Sequence, residues 1–318
     1  MIDPIIKAIC QQEGINALSI QPLAGGQTNS VYRIGKDYIL RIASTPEDGE
    51  RLANEARSLQ KVPSTIPIPH ILALGTYSGQ TYQLQRFIPG ERMHHLWRHL
   101  SHDQKESVIA QHAGYLKPLH EVTFSEYGWM NQDEAQFGFW NAFCEEQFYT
   151  TIETLSNPQV LLPDDVIQHT IDFFEFHKTC LQEGPPVFVH GDLWPGNILV
   201  AGDCISGVLD FEFAMQAPLD YELLLIEEFC LYPNDFAEED WEIFSTADFA
   251  DLFLLLRKHY PALFSIPGLR QRLDLYHLMY ALRSFVDWRL AHPEDRTYPT
   301  NTLARLFNIL FRHGVRMV

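Results

Sequence analysis

Once a short opening helix is passed, strand character dominates the chain up to Gly90, and helical spacing of apolar positions dominates beyond it. Asp3 suits an N-cap, Pro4 a first turn, and Ile5, Ile6 and Ile9 one helical face. LSIQPL, SVYRI and YILRIA then read as three strands, with AGGQTN between the first two and the short turn GKD between the second and third. Residues 48–61, DGERLANEARSLQK, place Leu52, Ala56 and Leu59 on one stripe of a helix closed by Pro63. HILALGTYS and TYQLQRFI follow as two more strands, and Pro89-Gly90 forms a joint. Ser101 with Gln104 has capping-box spacing and opens a helix that runs to Val122; further helices are expected over 135–155, 163–182 and from 220 onward. One β-rich block, from PVFV to LDF, interrupts them. The pattern predicts an α+β fold of two lobes, a small sheet-rich lobe with one main helix over residues 1–88 and a larger helical lobe over 89–318.

With 318 residues, 46% of them hydrophobic, the chain can bury one large core or two modest ones. Neither a signal peptide nor a stretch of about eighteen apolar residues is legible, so a cytoplasmic protein that does not enter the membrane is expected. Five scattered cysteines without a CxxC pair read as buried free thiols. The net charge of −18 is uneven: residues 118–256 carry 27 Asp and Glu against the single base Lys178. Such a field repels nucleic acid and anionic lipid; it draws in a cation if the charges line a cleft, and otherwise serves solubility. His94, His95, His99 and His102 include one four-residue spacing but no HExxH, and read as incidental histidines on a surface helix; His120 reads as packed or hydrogen-bonded.

The segment HGDLWPGNILV is denser in polar and turn-forming residues than a plain turn requires. Asn197 opens ILV, Asp210 closes ISGVLD, and the turn AGD lies between, so pairing of the two runs as a hairpin brings an amide and a carboxylate to one edge. Magnesium takes oxygen donors of this kind, usually one or two carboxylates with waters and phosphate oxygens completing an octahedron. Asp192, upstream on the same loop, is placed to accept a proton from a hydroxyl.

HGDLWPGN followed by DFE resembles the catalytic loop and metal motif of the protein-kinase-like fold, in the form found in aminoglycoside phosphotransferases, choline kinases and, with its Trp194, fructosamine kinases. The specific motifs cover about twenty residues, while the order of elements agrees over most of the chain. The resemblance implies ATP and magnesium as cofactors, Asp192 as catalytic aspartate, Asn197 and Asp210 as metal ligands, and His190 as a structural support. It also implies a phosphate-covering loop with Gly25, Gly26, Thr28, Asn29 and Ser30, and a hinge in which backbone groups of Gln85, Arg86 and Phe87 meet the adenine edge. Arg41 stands where the family has lysine, with Glu55 or, one and a half turns earlier, Glu50 as its partner; Arg keeps the charge but is larger. Glu212 replaces the glycine of D-F-G, and Asp220 resembles the aspartate that braces the catalytic loop. The implied reaction is phosphoryl transfer to a hydroxyl of a small, cationic substrate, with Glu227 and Glu228 among the acids facing it. A pseudokinase or nucleotide-sensing module is the alternative suggested by Arg41 and the loose glycine loop, and a protein-substrate kinase is disfavoured because no APE segment follows DFE.

Overall fold

The computed structural model describes every residue except 1–3, 17–18, 24–28, 131–135, 156–161, 183, 237–243, 292–308 and 310–318. Helix α1 (Pro4–Gln12) precedes an antiparallel sheet of β1 (Ile20–Leu23), β2 (Asn29–Ile34), β3 (Tyr38–Ala43), β4 (Ile71–Tyr77) and β5 (Gln80–Arg86), with helix α2 (Pro46–Leu59) between β3 and β4. The strand order is β1-β2-β3-β5-β4. The two-residue period of the strands sorts their side chains. Leu40, Ile42, Tyr82 and Leu84 form a core with Ile6, Ile9 and Cys10 of α1. Arg41 and Gln83, direct cross-strand partners, therefore point to the other face, where α2 packs. Helix α2 begins two residues earlier than the apolar stripe predicts, because Thr45 caps it: Thr45 Oγ1 accepts the Asp48 N–H (3.1 Å) and Asp48 accepts the Thr45 N–H (3.0 Å).

Beyond Gly90 come β6 (Glu91–Arg92), α3 (Met93–Leu96), α4 (His102–His120), β7 (Gly128–Trp129), α5 (Trp140–Thr154) and α6 (Asp164–His177). The β-rich block supplies β8 (Val187–Val189), β9 (Ile198–Ala201), β10 (Cys204–Val208) and β11 (Met215–Ala217), after which α7 (Leu223–Leu231), α8 (Leu252–His259) and α9 (Leu269–Ala291) follow. The predicted capping box of α4 is present, with Ser101 and Gln104 in its two roles. The predicted hairpin is β9–β10, but the block forms more than a hairpin. β6 adds to it across more than a hundred residues of chain to give the order β10-β9-β6, while β8 and β11 join β7 in a second small sheet. A second core, with Trp97, Trp140, Phe148, Phe174, Phe188, Phe211 and Phe229 fully buried, underlies these sheets and the helices.

The histidine expectation fails at one position. His94 is fully buried, its ring 5.2 Å from that of Trp194 and 4.0 Å from that of His95, and burial pushes its pKa down to about 3. It belongs to the packing beneath the HGDLWPGN loop, because the helix there is a short piece followed by a 3₁₀ turn rather than a long surface helix. His120 is packed and bonded as expected, to Glu222 and Tyr260 (3.2 Å each). All five cysteines are free, but the expected burial holds for Cys10 and Cys144 alone: Cys180 and Cys230 are half-buried and Cys204 is exposed. Among the described residues no helix is long and apolar enough to cross a membrane.

Candidate active site

The loop from His190 to Asn197 leaves β8 and enters β9, and its own side chains hold its shape. The neutral His190 ring donates from Nε2 to the Leu209 carbonyl (2.8 Å) and accepts the Asp192 N–H at Nδ1 (3.2 Å); burial pushes its pKa below the ordinary value, which keeps it in this form. Gly191 has φ 80°, and a Cβ there would run into the Phe213 carbonyl, so glycine is required on both counts. Asn197 Nδ2 donates to the Asp192 carbonyl oxygen (2.8 Å) and to Asp192 Oδ2 (2.9 Å). Both amide hydrogens are thereby engaged, and Oδ1 is the atom left to meet a cation. Ile198 pairs with Val208 and the Leu209 N–H donates to the Asn197 carbonyl (2.8 Å), so the hairpin brings Asn197 and Asp210 to one edge.

Asp210 has a left-handed backbone, φ 67° and ψ 60°, at the entrance to a 3₁₀ turn over Phe211–Phe213. For a non-glycine residue that costs about 1–3 kcal/mol. The turn directs the acids that flank Phe211 toward Arg41. Arg41 Nη1 donates to Glu55 Oε2 at 2.5 Å, and Nη2 lies 3.3 Å from Asp210 Oδ1 and 3.4 Å from Glu212 Oε2. Glu55 is therefore the partner of Arg41, and Glu50 stands exposed. Gln83 Nε2 donates to the same Glu55 oxygen (3.1 Å), and Asn54 Nδ2, one residue earlier on α2, donates to the Glu212 carbonyl (2.8 Å).

Burial, and then the Asp210 carboxylate, push the Asp192 carboxyl well above its ordinary pKa. Burial and Asp210 likewise push Glu212 up to about 8, against the pull of Arg41. Arg41 itself is held above its ordinary value by Glu55, Asp210 and Glu212, against burial, and stays charged. Three carboxyl groups, those of Glu55, Asp210 and Glu212, thus share one guanidinium, with Asp192 beside Asp210, at an edge where Asp210 remains about one third exposed (34%). Among the described residues no three His, Cys, Asp or Glu side chains group closely enough to hold a metal ion by themselves. One amide oxygen with one or two carboxylates is the protein share that magnesium takes when phosphate oxygens and water complete its shell, so the donor set fits that ion.

Of the other residues singled out by sequence, Gly25, Gly26 and Thr28 lie outside the described residues; Asn29 is buried and Ser30 exposed at the start of β2. The hinge expectation narrows, because the Arg86 N–H donates to the His70 carbonyl (2.9 Å) and the Phe87 N–H to the Asp37 carbonyl (2.8 Å), so neither donor is open to an adenine edge.

Three further assignments are corrected. Asp220 does not brace the loop: its carboxylate is fully buried against Arg272 of α9, at 2.6 and 2.9 Å. The bracing contact belongs to Glu222, which accepts the His190 backbone N–H (3.0 Å) and is bonded to His120. Glu227 and Glu228 are not open to a substrate: Glu227 binds Arg270 (2.7 Å) and His277 (2.7 Å), and Glu228, buried, binds His277 (2.5 Å). The acids Glu238, Glu239 and Asp240 lie outside the described residues. Sequence reasoning missed Glu222, Gln83 and Asn54. An acid two places from Asp220 was the visible signal for Glu222, but a periodicity cannot say which of two nearby acids faces the loop.

The sequence family that matches is described as "Phosphotransferase enzyme family", over residues 19–263. A homoserine kinase of Methylocella silvestris is 33% identical over 120 residues, 37% of this chain and 36% of that kinase. A probable ketoamine kinase of Enterococcus faecium is 25% identical over 191 residues, 56% of this chain and 63% of that protein. The chain therefore spans between about a third and two thirds of the length of these curated relatives. ADP-bound aminoglycoside phosphotransferase APH(2'')-Ib superposes with a TM-score of 0.70 at 18% identity, covering 98% of this chain and 97% of that one. The streptomycin–ATP–APH(2'')-IIa ternary complex gives 0.67 at 17%, covering 97% of each. These neighbours establish the α+β fold, with a sheet-rich lobe and a helical lobe.

Proposed function

Because the chain belongs to the phosphotransferase enzyme family, we propose that it transfers the γ-phosphoryl group of ATP to a hydroxyl of a small, amine-bearing molecule. The observation that carries this reading is the joint placement of Asp192, Asn197, Asp210 and Arg41: Asn197 orients the Asp192 carboxylate, and Arg41 reaches across to Asp210. Asp192 accepts the proton of the acceptor hydroxyl at its carboxylate. Asn197 and Asp210 would hold magnesium, with Glu212 as a further oxygen donor, and the ion supplies positive charge against the phosphate oxygens. Arg41, steadied by Glu55 and Gln83, offers the remaining donors of its planar fork to the nucleotide phosphates. Phosphoryl transfer asks little covalent work of the protein, so this catalysis is positioning and charge neutralisation.

The relatives named as homoserine and ketoamine kinases, and streptomycin beside ATP in a structural neighbour, support a small hydroxyl-bearing acceptor. The acid surplus over residues 118–256 supports a cationic one and disfavours nucleic acid. Dependence on ATP suits a cytoplasmic enzyme. The ion pair that Arg41 makes to Glu55 in spite of its size supports transfer over the sensor reading. The test is incubation with magnesium-ATP and a panel of amino sugars, glycated amines and amino alcohols. ADP release that depends on one class of acceptor is expected; tight ATP binding with no ADP formed across the panel would replace the kinase by a nucleotide sensor.

A further inference from the structure

Helix α2 meets the turn after Asp210 at a second point besides Glu55. Asn54 is buried, at 8% exposure, one residue before Glu55. Its Nδ2 donates to the Glu212 backbone carbonyl at 2.8 Å, across a contact between elements more than 150 residues apart in the chain. Its Oδ1 is buried with no hydrogen-bond partner among the described residues. A buried amide with an orphaned acceptor costs free energy, and an apolar side chain of similar size would avoid that cost. What the amide does supply is one directed donor, aimed at the backbone of the segment that carries Asp210 and Glu212.

That segment needs a tether. Asp210 sits in a left-handed conformation that surrounding contacts must impose, and the acids on either side of Phe211 repel one another with one guanidinium between them. The Arg41 bonds to these side chains are long, 3.3 and 3.4 Å, whereas the Asn54 bond to the backbone is short and sealed from water. Through Glu55 the same helix fixes Arg41, so adjacent residues of α2 set the phosphate-facing cation and the carboxylate turn relative to each other.

We propose that Asn54 is a positioning residue which, through the Glu212 carbonyl, holds the Asp210–Glu212 turn in the geometry that accepts a divalent cation beside the nucleotide. This rests on the phosphotransferase reading, and it concerns how tightly the metal is used rather than which acceptor is phosphorylated. Losing one neutral buried hydrogen bond should weaken the magnesium-dependent part of nucleotide binding by about 2- to 10-fold.

The experiment measures ATP affinity of the full chain by titration calorimetry, with and without saturating magnesium, in wild type, Asn54→Leu and Asn54→Ala. Thermal unfolding of each is followed in parallel. Magnesium is expected to tighten ATP binding to the wild type, and Asn54→Leu to lose about 2- to 10-fold of that gain while keeping its metal-free ATP affinity. Its melting temperature should fall only modestly, because the Glu212 carbonyl loses its donor while the orphaned oxygen of Asn54 leaves as well. Asn54→Ala, which removes the donor without asking the site to hold a branched side chain, should show the same loss and covers the case in which the leucine variant does not fold. An undiminished magnesium gain in a folded variant, or a loss of metal-free and metal-dependent affinity in equal proportion, overturns the tether. Absence of any magnesium gain in the wild type overturns the phosphotransferase reading itself and takes the tether with it.

Discussion

Two charge clusters in this chain use the same residue types to opposite ends. Around Arg41, the carboxylates of Glu55, Asp210 and Glu212 lie 2.5, 3.3 and 3.4 Å from one guanidinium, Asp192 is close enough to be shifted by Asp210, and Asp210 keeps an open side. Around Arg272, a single carboxylate, Asp220, takes two bonds of a planar fork, the third arm goes to the Cys180 carbonyl (2.7 Å), and both charged side chains are sealed from solvent. The first cluster has more negative charge than its cation neutralises and a way in from solvent, which is a poor way to hold a fold together and a suitable way to receive a cation. The second is balanced and closed, and joins the segment after β11 to α9. Charge balance together with access therefore separates site from scaffold, where residue type alone does not.

The comparison breaks most severely at Asp192. Asp192→Asn should lower turnover by roughly 100- to 10,000-fold, the range for a lost general base, with ATP affinity near that of the wild type. Steady-state ADP release beside a nucleotide titration reads both quantities; full turnover in this variant would remove Asp192 from the chemistry.

Next comes the scaffold. Arg272→Met leaves Asp220 charged and buried without its partner, and should destabilise the fold by about 3–5 kcal/mol, whereas the double variant Asp220→Leu, Arg272→Met recovers much of the loss. Urea unfolding with an unchanged denaturant slope measures it. A loss below about 1 kcal/mol would place this pair with solvent-screened surface pairs and end the contrast.

The smallest expected effect has the opposite sign. Asp210→Asn removes one carboxylate from the crowded cluster, and asparagine tolerates the left-handed backbone well, so the nucleotide-free protein should gain roughly 0.5–2 kcal/mol. The same variant should lose the rise in melting temperature that magnesium-ATP confers on the wild type. A variant less stable than the wild type without ligand would show that Asp210 is part of the scaffold.

The strands of the small lobe and the capped start of α4 were legible because alternation and capping are local signals. The hairpin between Asn197 and Asp210 was legible for the same reason: a two-stranded turn pairs residues close in the chain. The edge strand β6, supplied from the joint, was not, since pairing Glu91 with Val200 depends on how the lobes fold together. His94 looked like a surface residue because its neighbours His95 and His99 are partly or fully exposed and nothing in the spacing shows Trp194 above it. Glu227 and Glu228 looked like substrate-facing acids because their bases, Arg270 and His277, lie more than forty residues downstream.

By itself the amino-acid order determined the loop chemistry. Asp192, Asn197 and Asp210 stand at separations that a tight turn and a short hairpin convert directly into neighbouring positions, since such elements have few ways to fold. Only the tertiary structure decided which acid does which work: Glu55 rather than Glu50 for Arg41, Glu222 rather than Asp220 beneath the loop, and Asn54 against the Glu212 carbonyl. Each of those choices turns on a partner far away in the chain and on which side chains are cut off from water, and both are properties of packing.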